Sequence, residues 1–156
     1  MNEFVLVGLV GCGKKKLETE EPVPAGELYT GSLFRSTMHF AAQHCQRVFI
    51  VSAQYGLLDP AQPVLPYEKK ITDLCKGERK AWAITVVRSL YDEMDGQFGH
   101  NGDPLFRTII LAGAAYADLL HEELRWNRVP SCRPMRGLGQ GQRMRWLSQC
   151  KNASKK

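Results

Sequence analysis

Phe4-Val5-Leu6-Val7-Gly8-Leu9-Val10, followed at once by Gly11-Cys12-Gly13-Lys14-Lys15-Lys16, is the stretch on which the fold turns. Its apolar residues run without polar alternation, the pattern of a strand buried on both faces, as in parallel sheets. Arg47-Val48-Phe49-Ile50-Val51-Ser52 and Arg107-Thr108-Ile109-Ile110-Leu111-Ala112 have the same character. Helical patterns separate the three. From Ser32, a plausible N-cap, to about Cys45, the residues Phe34, Met38, Ala41 and Ala42 form one apolar stripe. From Glu78 to about Met94, Trp82, Val86, Leu90 and Met94 recur every four residues, and Val87 and Tyr91 widen the face. After the third strand, Ala114 to Leu124 reads as a helix burying Leu119 and Leu120. A short strand around Val129 to Pro134 follows, then a last helix from near Gly141 that carries Met144, Trp146 and Leu147. This alternation predicts an α/β fold, a three-layer α/β/α sandwich on a short, mostly parallel central sheet.

A chain of 156 residues, 44% apolar and 24% charged, suits one domain with a substantial core. Residues 1–150 are expected to form it and 151–156 a basic tail, with Gln97 to Pro104 a polar turn inside the domain. No apolar run approaches the ~20 residues that span a bilayer, and the N-terminal stretch lacks the basic flank of a signal peptide. Five scattered cysteines (Cys12, Cys45, Cys75, Cys132, Cys150) contain no Cys-x-x-Cys pair. That argues against a zinc site and for a reducing, cytoplasmic compartment. There is no dinucleotide fingerprint. The histidines are scattered, and His39 and His44, five apart, would not share a helix face as metal ligands do. Neither a cofactor nor a metal is expected.

The net charge is +5, and its distribution says more than its size. Nine basic residues and no acidic one lie between Arg125 and the C-terminus. Such segregation is the electrostatic footprint of a surface that meets phosphates. Arg133, Arg136, Arg143 and Arg145 are the expected nucleic-acid contacts, in or beside the basic, glycine-rich loop from Arg133 to Gly141.

Ligands of open parallel sheets bind beyond the carboxyl ends of the strands, and all three strong strands end in polar or glycine-rich sequence. The first ends in Gly11-Cys12-Gly13-Lys14, where glycines admit a close ligand, Lys14 offers positive charge and Cys12 a thiol. The spacing is not that of a Walker A loop. The second ends in Ser52-Ala53-Gln54-Tyr55-Gly56-Leu57-Leu58-Asp59-Pro60, with Pro66-Tyr67-Glu68 shortly after. Tyr55 and Tyr67 have the planes to stack on a base. Asp59 is a candidate general base or, equally, the cap of a turn before Pro60. The third runs into Gly113-Ala114-Ala115-Tyr116, small enough for close approach at a helix start.

These segments, taken with Leu28-Tyr29-Thr30-Gly31-Ser32-Leu33-Phe34-Arg35 and Gly137-Leu138-Gly139-Gln140-Gly141-Gln142-Arg143-Met144-Arg145-Trp146-Leu147, resemble an uncharacterised bacterial and phage domain related to the peroxide-stress protein YaaA. The resemblance spans nearly the whole chain. It implies association with DNA, and a wider kinship with the uracil-DNA glycosylase type of α/β/α sandwich. There, base-recognition loops occupy the strand ends and a loop after the last strand grips DNA, a role that suits Arg133 to Gly141. Glycosylases of that class carry Asp or Asn after the first strand, where this sequence has Cys12 and lysines. That departure argues against standard water-mediated base excision.

The expectation is therefore a nucleic-acid or nucleotide-binding domain, DNA before RNA, acting on a nucleobase or its N-glycosidic bond. Asp59, Cys12 and Lys14 are its catalytic candidates. Tyr29, Ser32, Ser52, Tyr55, Gly56 and Tyr67 are its substrate contacts. The competing readings are a non-catalytic DNA-binding protein and an enzyme for a small anionic metabolite.

Overall fold

A computed structural model of the chain describes residues 4–153. Its elements, in order, are β1 (Val5–Gly11), β2 (Val23–Pro24), α1 (Ala25–Leu28), α2 (Ser32–His44), β3 (Arg47–Ser52), β4 (Gly56–Leu58) and β5 (Pro63–Val64). A 3₁₀ turn (Ile71–Asp73), α3 (Lys76–Glu93), β6 (Phe106–Leu111), α4 (Ala114–Trp126), β7 (Ser131–Cys132) and α5 (Gln140–Ala153) complete them. The three expected strands and four expected helices are all present, within a few residues of their expected bounds.

The main sheet has the order β4-β3-β1-β6-β7. β1 lies at its centre, parallel to β3 on one edge and to β6 on the other. β7 extends the parallel set, and β4 turns back antiparallel at the far edge. The alternation of β1 divides the core. Val7 and Leu9 point into one layer with Trp82, Val86 and Leu90 of α3 and Leu120 and Leu124 of α4. Val10 points into the other, with Phe34 and Ala41 of α2, Leu28 of α1 and Leu147 of α5. Gly8 lies on that second face, where an added Cβ would come 3.1 Å from Cys45 Sγ. The result is the expected three-layer α/β/α sandwich on a mostly parallel sheet.

The chain leaves β1 toward β3 through α2, then crosses back past β1 to β6 through α3. Reversing direction with one hand of crossover requires the second helix on the opposite face of the sheet, which is where α3 lies. The carboxyl ends of β1 and β6 therefore feed loops that diverge, leaving a crevice between them.

Three local expectations are corrected. Ser32 is the first residue of α2 rather than its cap; Gly31 occupies the cap position, and no side chain caps the helix. Ala42 is exposed, and Thr37 is buried with Phe34 and Ala41 in its place. α5 continues to Ala153, past the boundary expected at residue 150, while Lys155 and Lys156 of the expected tail lie outside the described residues.

Gly11 ends β1 where it passes closest to the chain leaving β6: an added Cβ would stand 2.8 Å from Ala112 Cβ and 3.1 Å from its Cα. Backbone cannot yield as a side-chain tip does. Gly11→Ala should destabilise the fold by roughly 1–3 kcal/mol. Gly77→Ala, in α3 with open space around it, should instead stabilise by about 0.4–1 kcal/mol. Denaturant unfolding of the two variants measures both, and equal effects would contradict the close approach.

Candidate functional site

The crevice between β1 and β6 is a cleft of about 720 Å³. Gly11 to Lys15 form one side and Leu111 to Tyr116 the other. The start of α2, Gly31 to Phe34, and Gln140, Arg143 and Met144 of α5 close it. The cap positions of α2 and α4 are both glycines, Gly31 and Gly113, and neither helix has a side-chain cap. Their first-turn N–H groups and the positive ends of their dipoles thus have no competing oxygen from a cap residue. Arg143 Nε donates to the Leu138 carbonyl at 3.0 Å, which fixes the guanidinium. It lies over Gly113, where an added Cβ would come 3.4 Å from Nη1. Lys14 and Lys15 add mobile charge, and no Asp or Glu is among the lining residues.

Cys12 follows β1 into this cleft, its N–H still bonded to the Val51 carbonyl at 3.1 Å. Its thiol is hydrogen-bonded to Tyr116 Oη, 3.3 Å away. Tyr116 packs on Trp82, whose Nε1–H donates to the Ser52 carbonyl at 2.9 Å. Ser52 is the hub behind the cleft. Its Oγ donates to Tyr67 Oη at 2.7 Å and accepts the N–H groups of Gln54 and Tyr55, each at 3.2 Å. Tyr67 Oη is in turn 2.7 Å from Tyr29 Oη. Lys16 Nζ sits 4.6 Å over the Tyr67 ring.

Burial pushes the Tyr29 phenol up to about 12, and the nearby Cys12 adds to the rise. Burial raises Tyr67 and Tyr116 in the same direction, again reinforced by Cys12. All three are therefore neutral phenols at neutral pH and keep their protons for hydrogen bonding.

The expected site residues separate into groups. Cys12, Lys14 and Ser32 line the cleft, and Tyr29, Ser52 and Tyr67 form the cluster behind it. Tyr55 stands edge-on to Tyr67, its hydroxyl committed to the Leu65 carbonyl at 2.9 Å. Gly56 has φ +72°, a turn conformation that lets β3 run into β4, so its contribution is to the backbone. Asp59 is exposed, and its Oδ1 accepts the Ala61 N–H at 2.9 Å. It caps a turn and is not among the cleft residues, so its assignment as general base finds no support. Among the arginines, Arg143 reaches the cleft, while Arg133 pairs with Asp118 at 2.6 Å. Arg136 and Arg145 are exposed, and Arg145 lies about 200° round the helix from Arg143. Arg133, Arg136 and Arg143 nevertheless line one concavity of about 490 Å³ beside the turn at Gly137 and Gly139, and only Arg145 stands apart from it.

Tyr116, Lys16 and the two glycine caps were not singled out as site residues. For Tyr116 and Gly113 the signal was Gly113-Ala114-Ala115-Tyr116 directly after a buried strand, and Lys16 and Gly31 lay inside the segments 11–16 and 28–35. Nothing in the sequence placed that tyrosine against Cys12, which is 104 residues away.

Residues 7–149 match DUF6884, a family of unknown function, and the chain belongs to that family. No curated protein and no solved structure matches it. Among the described residues no group of side chains is arranged to hold a metal ion, and no helix is long and apolar enough to cross a membrane.

The buried phenols fix an alkaline limit. Tyr29 binds its proton more tightly folded than unfolded, so its contribution to stability is complete below pH 10 and is lost as pH rises toward about 12. Unfolding free energy should fall across that range, and Tyr29→Phe should flatten the fall. Ser52→Ala, which removes the hub, should cost roughly 1–3 kcal/mol at neutral pH. Urea unfolding between pH 8 and about 11 tests both; a wild-type curve that stays flat would show that the phenols titrate normally.

Proposed function

We propose that this DUF6884 member is a nucleotide-binding domain that seats a phosphate group in the β1–β6 cleft. The observation that carries the reading is convergence: two glycine-capped helix starts, Arg143 and Lys14 meet around one cleft with no lining carboxylate. Each group favours an anion, and together they offer fixed N–H donors, a planar guanidinium and a mobile ammonium. The volume falls within the roughly 300–1,000 Å³ of small-molecule sites. Phe34, Met135 and Met144 supply an apolar wall for the base. The scattered cysteines fit a cytoplasmic setting.

One observation favours chemistry over passive binding. Cys12 brings a thiol to the cleft floor, hydrogen-bonded to a phenol that stays protonated. A nucleophile and a proton donor so placed suit an enzyme acting on the nucleobase or its N-glycosidic bond. In this reading Cys12 and Tyr116 take the roles that Asp59 cannot fill from the surface.

The cap position provides the sharpest test. Gly31 has open space around it and an ordinary extended backbone, so Gly31→Asp should fold normally and gain a few tenths of a kcal/mol as a cap. Its carboxylate would occupy the place of the ligand anion, and nucleotide affinity should fall by at least about tenfold. Arg143→Gln should lose roughly 10- to 100-fold. Calorimetric titration with nucleoside monophosphates reads both, and undiminished affinity in Gly31→Asp would refute the assignment. Incubating Cys12→Ser with nucleotides and assaying released base separates chemistry from binding: turnover should vanish while affinity remains.

A further inference from the structure

We infer that the ligand in the cleft is one unit of a single-stranded polynucleotide, whose backbone runs out along the groove between α2 and α5. The inference rests on the cleft being a nucleotide site and names the substrate class it serves. A second concavity, of about 300 Å³, is lined by Arg35, Ser36, His39, Phe40 and Gln43 of α2 and by Leu147, Ser148 and Lys151 of α5. On α5, Arg143 and Met144 line the cleft and Leu147, Ser148 and Lys151 the groove; on α2, Leu33, Phe34 and Thr37 face the cleft, and Arg35, Ser36 and His39 face the groove. The two concavities therefore share the same pair of helices, and α5 leads from one to the other. Arg35 and His39 stand one turn apart, about 6 Å along the axis, with Lys151 facing them across the groove.

Charge decides what the groove admits. Neither α2 nor α5 contains an Asp or Glu, while together they carry Arg35, Arg143, Arg145 and Lys151. Among the described residues, neither Arg35 nor Lys151 makes a salt bridge, and both are exposed. Long cations left without acidic partners on both walls of a groove are the arrangement that tracks a phosphate backbone. Phe40 lines the same groove, packed on His44 and Trp146 with centroids 4.4 and 5.1 Å away, and offers a surface on which a base can stack. A single strand can turn an unpaired base into the cleft while its phosphates follow the cations of the groove, which a duplex with stacked, paired bases cannot do.

Arg35→Ala/Lys151→Ala, two exposed changes outside the core, provides the test. Anisotropy titrations would use labelled oligo(dT) and oligo(rU) of about ten nucleotides, the matching duplex, and thymidine monophosphate as unlabelled competitor. The oligomers should bind more tightly than the mononucleotide and than the duplex. The double variant should lose at least about tenfold in oligomer affinity, with the salt slope falling by about 1.4, while the mononucleotide competes as before. Unchanged oligomer affinity in the double variant, or a duplex bound as well as the single strand, overturns the groove. Failure of the cleft reading looks different: Gly31→Asp would then leave mononucleotide affinity intact, whatever the groove variant does. A stronger response to oligo(rU) than to oligo(dT) would assign the strand as RNA within the same proposal.

Discussion

The position of β1 governs the site. It pairs from Val7 to Gly11 with Arg47 to Val51 on one edge and from Val5 to Val10 with Phe106 to Leu111 on the other. A strand held in parallel on both edges has no hairpin to either neighbour, so both connections must be crossovers. The chain reaches β3 first and β6 only after passing back across the sheet, which puts α2 and α3 on opposite faces. From this the crevice follows without any special residue: the loops beyond β1 and β6 leave in opposite directions. What the sequence adds there is small size, with Gly11, Ala112 and Gly113 in mutual contact range, and positive charge.

How much of this could be read beforehand depended on the range of the interaction. Runs such as Arg47 to Ser52 announce buried strands because their burial is continuous, and the four-residue recurrence from Trp82 to Met94 announces a helix for the same local reason. The cleft lining was legible as far as strand ends are legible, which brought in Cys12, Lys14 and Ser32. The pairing of Cys12 with Tyr116, and of Tyr29 with Tyr67 and Ser52, depends on which strand ends become neighbours. That is set by sheet order, not by spacing. Asp59 shows the converse. As an acidic residue near a strand end it attracted a catalytic role, but an aspartate two residues before a bonded N–H satisfies a turn locally. That competing use is what the fold adopts.

The arginines show how a correct charge footprint can still mislead about geometry. The acid-free C-terminal segment is real, yet its cations serve different ends. Arg133 is spent on Asp118, Arg143 is fixed by the Leu138 carbonyl beside the cleft, and Arg145 faces away from it. A linear count treats them as one patch. The helix separates Arg143 from Arg145, so three of the four, Arg133, Arg136 and Arg143, converge on one concavity and the fourth does not.

A cluster of like-charged groups lining one cleft opposes folding unless something offsets it, and here no lining carboxylate does so. The Arg143 side chain is half-buried among lysines and helix starts with no carboxylate lining the cleft. Glycine at both helix starts forgoes the stabilisation that Ser, Thr or Asp would supply. Selection for stability alone would place an oxygen at one of these positions, because Gly31 in particular has room for a side chain. Leaving both caps open costs the free protein a little stability, and the structure offers no packing reason for it at Gly31. Under the proposed nucleotide-binding reading, an anion in the cleft would remove the repulsion and satisfy the N–H groups together, offsetting both costs by mass action.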